Sequence, residues 1–394
     1  MKKRLHFITV GLFLTIIFGF TIAFFLLPDK TFSEQENRSL RTLPPLRMQA
    51  VLSGAYASDV NDYFADQFPL RDLLVAWKGN AEIGLGKMEN DGILLGKNEQ
   101  LAKRLFDVAR RDGTVTSDMD AIDPSHINGA AEGICRMSEQ FKQAGIPFRV
   151  MLPGRTLDVC ASAFSYPCAY SDRMLQSLRQ GLCDCEAYLD TVEKMRARYE
   201  NGEAVYYKTD HHWTTLGAYY AYVEILTSFG MEEEIIPKEA FQREVASRNF
   251  YGSFWSAGGM KFVHPDSVEI WTLGNEEAFS VTADAKLLSG FYERSHLEKK
   301  DHYSTFLDGV HDVVTVRKDT GEDRPTLVIF KDSFANALSP FLAQHFDLVL
   351  LNLSSTRTDY TDLSCYSKEY DADAVLVVYT LGNAVQTSKL NQLH

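Results

Sequence analysis

Two short segments of the chain carry side-chain types that act together in acyl-transfer chemistry. The first segment, 209–215 (TDHHWTT), places an aspartate two residues before a histidine. Residues two apart in an extended segment point to the same side, so Asp210 and His212 are predicted to share one pocket while His211 faces away. An adjacent carboxylate fixes the tautomer of a histidine and stabilises its imidazolium form, which predicts His212 as a general base oriented by Asp210. A helix start with Asp210 or Thr214 as a capping residue is the plainer alternative.

The second segment, 326–336 (TLVIFKDSFAN), has a serine where a predicted buried strand gives way to a helix. Such a turn presents Ser333 Oγ at the carboxyl end of the strand and gathers backbone N–H groups around any anion formed there. A helix cap at Asp332 or Ser333 explains this segment equally well when it is taken alone. A serine hydroxyl needs a base to remove its proton, and His212 is the one base expected nearby that has an obvious partner, so Ser333 is the predicted nucleophile.

The elements around both segments alternate between strand and helix, which predicts a parallel sheet with helices on both faces. Strands are predicted at 148–152, 204–207, 326–330, 348–352 and 374–379. Helices are predicted at 51–83 (two, broken at Phe68-Pro69), 130–144, 186–199, 215–229 and 335–346, and a hairpin at 92–101. Because both chemical segments follow predicted strands of one sheet, we expect them at its carboxyl edge.

The start of the chain predicts a membrane anchor. Met1 and three cationic residues precede residues 7–27, which carry no charged side chain and end at Pro28. About 20 apolar residues span a bilayer, and the preceding positive charges predict a cytoplasmic N-terminus with the main domain extracytoplasmic. A cleaved signal peptide is the alternative. The predicted organisation is therefore 1–28 as cytoplasmic tip and signal anchor, 29–50 as linker, and 51–394 as one domain with an insertion or small lobe at 231–317.

Composition excludes two classes of protein. The 394 residues are 45% hydrophobic, which excludes extended disorder. A net charge of −13 repels phosphate backbones, so no nucleic-acid partner is expected. The six cysteines of an exported chain permit disulfides, but their spacing favours no particular pairing.

Four stretches of the sequence resemble the DHHW family. They are 33–40 (SEQENRSL), 66–72 (DQFPLRD), 210–213 (DHHW) and 331–333 (KDS). That family is similar to the AlgX/AlgJ-type proteins that O-acetylate alginate, in which a D-x-H-W motif precedes a G-D-S motif. The resemblance implies a three-layer, SGNH-hydrolase-like (flavodoxin-like) α/β fold with a permuted triad order, in which Asp210 and His212 match the D-x-H pair and Ser333 the nucleophile. Lys331 stands where the G-D-S motif has glycine.

The same resemblance implies a membrane-anchored, extracytoplasmic O-acetyltransferase or acetylesterase that modifies cell-surface polysaccharide without a cofactor or metal. Acetyl-CoA is cytoplasmic, so the implied acetyl donor is a membrane partner of the membrane-bound O-acyltransferase type, and residues 7–27 contact the bilayer. The predicted oxyanion donors are the backbone N–H of Ser333 and Gly154, in the loop after a neighbouring strand. Arg155 and Trp213 are predicted to contact the substrate.

Two other functions stay open at this point. The first is a non-catalytic SGNH-like module that binds glycan or organises an envelope complex, with sugar-stacking faces from Trp213, Tyr219, Tyr220, Tyr251 and Trp255. The second is a metal site on Asp210, His211 and His212 with His302 or His311 as a remote ligand. The metal site is disfavoured because adjacent histidines in an extended segment point to opposite faces.

Overall fold

The computed structural model of the protein describes residues 2–33, 38–104, 108–109, 115–116, 124–165, 169–319, 321 and 323–394. Residues 34–37 of the DHHW-like stretch and Cys168 lie outside these ranges. The chain forms two compact units, which we call the N-terminal unit (Met1–Asp91 and Ser256–Phe262) and the C-terminal unit (Gly92–Trp255 and Val263–His394). The predicted domain boundaries at 28, 50, 231 and 317 stay predictions.

The helices span both units. In chain order they are α1 (Lys2–Leu26), α2 (Met48–Leu52), α3 (Ala55–Asp66), α4 (Arg71–Gly84), α5 (Pro124–Ala144), α6 (Thr156–Val159), α7 (Ala169–Gly181), α8 (Val192–Glu200), α9 (Thr215–Ser228), α10 (Ser253–Gly258), α11 (Phe334–Leu342), α12 (Leu363–Glu369) and α13 (Leu381–Gln386).

The strands are mostly short. In chain order they are β1 (Phe32–Ser33), β2 (Arg38–Ser39), β3 (Glu89–Asn90), β4 (Ile93–Leu95), β5 (Leu101–Lys103), β6 (Val108–Ala109), β7 (Val115–Thr116), β8 (Phe148–Met151), β9 (Tyr188–Leu189), β10 (Gln242–Phe250), β11 (Asp266–Thr272), β12 (Phe279–Ala283), β13 (Lys286–Leu287), β14 (Val313–Lys318), β15 (Thr326–Lys331), β16 (Asp347–Asn352) and β17 (Ala374–Val378).

An eight-stranded mixed sheet, in the order β13-β12-β14-β16-β15-β17-β8-β9, forms the centre of the C-terminal unit. The five strands from β16 to β9 are parallel, whereas β14, β12 and β13 extend the sheet antiparallel beyond β16. β15 therefore lies inside the sheet with a parallel neighbour on each side. The predicted α/β fold with a parallel-rich sheet is confirmed, and the antiparallel extension comes from residues 279–318, nearly all of them inside the predicted lobe at 231–317.

Helices cover both faces of this sheet, as the alternation along β15 shows. Leu327 and Ile329 belong to the core shared with α9 and α11, while Val328 and Phe330 belong to the opposite core with α5 and α7. All four side chains are fully buried. A strand buried on both faces reads as an unbroken apolar run, which is why this strand is recognisable in the sequence.

Two predicted elements differ from the structure. Residues 204–207 form no strand of the sheet; the segment has a single antiparallel bridge, Tyr206 to Trp213, that folds it back on the DHHW tetrad. The predicted helix at 186–199 is instead β9 followed by α8, because the edge of the sheet pairs with the first part of this segment. The DHHW tetrad thus reaches the site from a folded loop rather than from a strand end.

The N-terminal unit begins with a helix that can cross a membrane. Within α1, His6–Leu26 is long and apolar enough to span a bilayer, with a mean hydropathy of 2.4 and none of it buried. The helices α3 and α4 follow, separated near Phe68-Pro69 as predicted. Of the six cysteines, the five described ones are free thiols: Cys135, Cys160, Cys183, Cys185 and Cys365.

Candidate active site

Ser333 lies at the turn between β15 and α11. Its backbone adopts φ −61° and ψ −19° as the residue just before the first turn of α11, so the strand passes directly into the helix. Ser333 Oγ accordingly stands at the carboxyl end of a central parallel strand, where α/β folds place their functional groups. The Ser333 N–H makes no hydrogen bond to another described residue, which leaves it available to an anion at the helix start.

Asp332 fixes this turn to the neighbouring strand. Its backbone N–H donates to the carbonyl of Val378 at 3.0 Å, at the end of β17. Its buried carboxylate accepts hydrogen bonds from Thr380 N (2.7 Å), Thr380 Oγ1 (2.6 Å), Asn383 Nδ2 (2.9 Å) and Phe334 N (3.1 Å). Asp332 therefore acts as a structural carboxylate that holds the backbone beside Ser333 in place.

The loop that carries the DHHW tetrad is held by a second buried carboxylate. Asp266 accepts hydrogen bonds from Lys208 N (3.0 Å), Thr209 N (2.8 Å) and Thr209 Oγ1 (2.6 Å). Burial raises the pKa of Asp266 even though these donors favour its charged form. At the other end of the tetrad, Thr214 caps α9 by accepting from Gly217 N at 3.2 Å.

The three predicted catalytic side chains form one hydrogen-bonded chain. His212 Nε2 lies 2.7 Å from Ser333 Oγ, and His212 Nδ1 lies 2.6 Å from Asp210 Oδ1. Asp210 and His212 are buried, and Ser333 is partly exposed. A carboxylate at Nδ1 places the ring proton there, which leaves Nε2 unprotonated and able to take the serine proton.

Asp210 is kept ionised by its surroundings. Burial raises its pKa, but the adjacent His211 and His212 rings, the His212 hydrogen bond and the Ser253 N–H together outweigh this effect and hold the pKa well below its usual range. Ser253 N donates to Asp210 Oδ2 at 2.8 Å, and His212 N donates to Oδ1 at 3.0 Å. Gly252 packs so tightly here that a Cβ would lie 2.3 Å from Asp210 Cβ.

Aromatic groups position the imidazole and the turn. The Tyr303 ring stacks on His212 with centroids 3.6 Å apart and planes within 8°, and its hydroxyl donates to the Ser333 carbonyl at 3.1 Å. Trp213 donates from its indole nitrogen to the Phe334 carbonyl at 3.1 Å, and the two rings meet edge to face. These contacts tie the tetrad loop to the first residues of α11.

His211 lies beside His212 instead of facing away. The ring centroids are 3.8 Å apart, and His211 Nδ1 lies 2.9 Å from Ser253 Oγ and 3.4 Å from Asp210 Oδ1. Burial and the neighbouring His212 lower the pKa of His211 to about 4, although 46% of its side chain is exposed. The opposite-face prediction is wrong because the tetrad is a tight loop and not an extended strand.

This folding brings three residues of metal-ligating types together. One ligand atom from each of Asp210, His211 and His212 lies within 4.8 Å of the others. A metal bound through His212 Nδ1 would displace the proton that this atom shares with Asp210, and would thereby remove the base from Ser333. The catalytic and metal-binding uses of the tetrad therefore exclude each other, and the absence of a metal stays a prediction.

The residues predicted to contact substrate have other partners. Arg155 is buried and binds Asp158 through two parallel hydrogen bonds of 2.8 and 2.7 Å. Trp213 is 1% exposed, so it has no free face for a sugar, and the prediction that it stacks on substrate does not fit this placement. Gly154 lies in the loop after β8, two strands from β15, and its carbonyl accepts from the Tyr206 hydroxyl at 2.7 Å. Its role as an oxyanion donor stays a prediction.

Lys331 fits under the turn without disturbing it. Its side chain is fully buried, and Nζ donates to Asn336 Oδ1 at 2.7 Å inside the first turn of α11. Asn336 Nδ2 in turn donates to the Gly309 carbonyl at 2.8 Å. Burial lowers the pKa of Lys331 to about 8. The lysine at the glycine position of the motif is therefore buried, and its ammonium is bound to Asn336.

Several residues of the site lie in the segment that the sequence marks only as irregular. Gly252 and Ser253 come from an aromatic and glycine cluster (FYGSFWSAGGM), and Tyr303 and Asp266 come from the same region. Glycine permits close backbone approach, and the glycine itself is the one sequence feature that points to position 252. Nothing in the sequence marks Tyr303 or Asp266, because their roles depend on long-range packing.

The model of the DHHW protein family matches residues 173–352, which contain the whole triad. The resemblance to that family is confirmed. No curated protein matches the sequence.

Three solved structures are similar to this chain to different degrees. Bacillus cereus PatB1, in a structure with a sulfonyl adduct, is 20% identical over 75% of this chain and 96% of that one, with a TM-score of 0.59. A DHHW family protein from Eubacterium siraeum DSM 15702 is 19% identical over 76% and 97%, with a TM-score of 0.54. The O-acetyltransferase domain of Pseudomonas putida AlgJ is 13% identical over 77% and 95%, with a TM-score of 0.45. The first two likenesses support the SGNH-hydrolase-like fold.

Proposed function

We propose that the protein is a membrane-anchored, extracytoplasmic serine O-acetyltransferase or acetylesterase that acts on cell-surface polysaccharide. The observation that carries the proposal is the chain of contacts from Ser333 Oγ through His212 to Asp210, at 2.7 and 2.6 Å. Hydrogen-bond distances of about 2.6 to 3.2 Å are what nucleophile activation by a general base requires. The choice of acetyl as the transferred acyl group rests on the resemblance to O-acetylating proteins.

The reaction divides into two steps at Ser333. In the first, Ser333 Oγ attacks the carbonyl carbon of a donor acetyl ester while His212 Nε2 takes the hydroxyl proton. The oxyanion forms beside the Ser333 N–H at the start of α11, and collapse releases the donor alcohol with the proton from His212. In the second, His212 deprotonates an acceptor hydroxyl, which attacks the acetyl-serine; the bond from the acyl carbon to Ser333 Oγ then breaks, and His212 returns the proton to Oγ. A sugar acceptor gives transfer, and water gives hydrolysis.

A half-buried aromatic pair beside the triad supports a sugar acceptor. The centres of the Tyr251 and Trp255 rings lie 4.4 Å apart. In the sequence these two residues flank Gly252 and Ser253, and the Ser253 N–H donates to Asp210. Lys300 Nζ lies 5.6 Å from the centre of the Trp255 ring. Aromatic faces near polar donors are typical of carbohydrate sites. This pair replaces Trp213 as the candidate sugar-stacking surface.

The acetyl donor must reach the site from outside the chain. Acetyl-CoA stays in the cytoplasm, and α1 with its preceding positive charges favours an extracytoplasmic C-terminal unit. A membrane-bound O-acyltransferase partner that passes acetyl groups across the bilayer fits this topology. The protein would then act as the second enzyme of a two-protein acetyl relay.

Covalent labelling of the full-length protein tests the proposal. The sulfonyl adduct of PatB1 makes a sulfonyl fluoride, or a fluorophosphonate, the suitable probe. We expect labelling of the wild type and of Ser289→Ala, an exposed serine of the same unit, and no labelling of Ser333→Ala. Labelling that survives Ser333→Ala overturns the proposal. Labelled acetyl appearing on glycan, as opposed to free acetate, separates transfer from hydrolysis.

The alternative is a non-catalytic module that binds glycan through Tyr251 and Trp255. Under this alternative a strain with Ser333→Ala keeps its normal polysaccharide acetylation, and the purified variant binds glycan as the wild type does. Under the enzyme proposal the same strain loses the acetyl groups while glycan binding stays.

A further inference from the structure

The N-terminal unit exposes apolar side chains well beyond its candidate membrane span. Along α4, Leu70, Leu73, Leu74 and Trp77 follow the spacing of one helical face, and Leu70, Leu73 and Trp77 are 62%, 44% and 63% exposed. Phe64 and Phe68, at the end of α3 and just after it, are also exposed. In contrast, the described part of the C-terminal unit exposes only three large hydrophobic side chains, at scattered positions: Val245, Leu287 and Val310.

The end of α3 is fixed at the point where α1 ends. The Tyr63 hydroxyl donates to Asp29 Oδ1 at 3.0 Å. The Gln67 side chain accepts from Lys30 N at 2.9 Å and donates to the carbonyls of Lys30 (2.8 Å) and Arg41 (2.7 Å). The contacts to Asp29 and Lys30 lie three and four residues beyond Leu26, at the level of a membrane interface if α1 spans.

Aromatic contacts then run from this level down the side of α1. The Phe68 ring stacks on Phe20 with centroids 5.2 Å apart, and the Phe64 ring lies 5.0 Å from Phe24. Phe20 is six residues before Leu26, which places it about 9 Å along the helix from that end. Phe68 therefore stands at the same depth as a residue inside the span.

A groove of about 580 Å³ lies beside these contacts, between α1 and the α3–α4 pair. Its lining is almost entirely apolar. It extends along α1 from Phe25 back to Ile16, with Phe64, Phe68 and Leu74 on the opposite side. Nine residues of helix correspond to about 14 Å, or roughly half of the ~30 Å hydrocarbon thickness. Water in such a groove would leave apolar surface solvated on both walls.

We propose that the α3–α4 pair is embedded in the leaflet that surrounds the carboxyl-terminal half of α1, and that lipid acyl chains fill the groove. The inference rests on the proposed membrane anchor, because the depth of Phe68 and Leu74 is set by α1. Lipid is the occupant because the exposed face is continuous with the span itself, through the Phe20–Phe68 and Phe24–Phe64 contacts. The pair thus anchors the N-terminal unit in the manner of an amphipathic interfacial helix.

Tryptophan quenching in lipid nanodiscs tests this placement with the full-length chain. Trp77 is the reporter, since Trp213 and Trp271 are buried and Trp255 belongs to the C-terminal unit. In phosphatidylcholine nanodiscs with brominated acyl chains, we expect wild type and Trp255→Phe to lose most of the Trp77 emission. Trp77→Phe should show little of this quenching, and aqueous iodide should have little effect on Trp77.

Three results overturn the inference. Equal bromolipid quenching in wild type and Trp77→Phe shows that Trp77 does not contact lipid. Quenching of Trp77 by iodide, or by neither reagent, shows that water or another protein chain covers the face. A chain that does not stay with the nanodisc overturns the anchor itself, whereas fluorophosphonate labelling of Ser333 in the same sample reports on catalysis separately.

Discussion

The two units distribute polar and apolar groups in opposite ways. The N-terminal unit directs large apolar side chains outward even outside α1, among them Leu52, Leu70, Trp77 and Leu85. The C-terminal unit buries nearly all of its large apolar side chains in the two cores of its sheet. Apolar side chains exposed to water and charged groups buried away from water both cost free energy, and the two units differ in which of these costs they must offset.

The C-terminal unit buries charge as well, and it partners that charge internally. Asp332 accepts four hydrogen bonds, Asp266 accepts three, and Asp158 binds Arg155. Buried carboxylates of this kind are stable only when their oxygens are satisfied. In the described part of the N-terminal unit the apolar face of α4 is exposed, and the lipid proposed above would cover it.

This contrast teaches where substitutions act. A change at a buried polar group of the C-terminal unit should alter catalysis or folding. A change on the exposed apolar face of the N-terminal unit should alter lipid contact alone. The following predictions test that separation.

Replacement of Asp210 should have the largest effect on activity. Asp210→Asn removes the charge that fixes the His212 tautomer and stabilises its protonated form, so we expect kcat for an acetyl ester to fall by about 10⁴-fold. Bromolipid quenching of Trp77 should not change. A kcat within tenfold of wild type would show that Asp210 does not orient the base.

Introduction of a single methyl group at Gly252 should come next. A Cβ there would lie 2.3 Å from Asp210 Cβ and 2.6 Å from Oδ2, so Gly252→Ala must displace the carboxylate. Small misplacement of a catalytic group typically costs about 10²-fold in rate. Gly382→Ala is the matched control, because its Cβ would meet Arg155 at 3.6 Å, an ordinary contact. Equal kcat values for the two variants would contradict this account of the Asp210 pocket.

Lys331 should affect stability in a pH-dependent way. Burial lowers its pKa from 10.5 to about 8. Between these pH values the unfolded chain keeps a proton that the folded chain has released, so the free energy of unfolding rises with pH across this window. Below pH 8 the folded state carries the full cost of a buried ammonium. After allowance for the lost hydrogen bond to Asn336, Lys331→Met should stabilise the protein by roughly 2 kcal/mol at pH 7.

Urea unfolding at pH 7 and pH 10 checks the Lys331 prediction. The stability gain of Lys331→Met over wild type should shrink at the higher pH. Asn336→Asp is a useful companion variant, because a carboxylate beside Nζ should raise the pKa of Lys331 in the folded chain. The pH range over which stability changes should then become narrower. A gain that is the same at both pH values would show that Lys331 is not the titrating group.

The sequence predicts the sheet and the triad because both depend on local patterns. An unbroken apolar run marks β15, and the serine directly after it marks the turn. The aspartate and histidine of the tetrad are recognisable as a pair by type and spacing. Ser333 and His212 converge because the fold brings the tetrad loop to the carboxyl edge of β15, although 204–207 is not a strand of the sheet.

The parts that the sequence does not predict depend on contacts between distant segments. Tyr303 stacks on His212 from 91 positions away, and Gly252 reaches Asp210 from 42 positions away. The packing of His211 against His212 follows from a loop geometry that strand periodicity cannot express. The sequence predicts that Trp213 contacts substrate, yet its buried indole donates a hydrogen bond to the Phe334 carbonyl.

The smallest expected effect on catalysis comes from the apolar face of the N-terminal unit. Leu73→Ser changes an apolar side chain that is 44% exposed and takes no part in the buried hydrogen-bond networks described above. Substitutions at such positions usually change stability by less than about 0.5 kcal/mol, so kcat and KM for a soluble acetyl ester should stay within twofold of wild type. In nanodiscs, however, a hydroxyl in place of an isobutyl group weakens burial in hydrocarbon, and bromolipid quenching of Trp77 should decrease. A tenfold fall in kcat without a change in quenching would mean that the two units are not separable in this way, and that the α4 face serves the catalytic unit instead of the membrane.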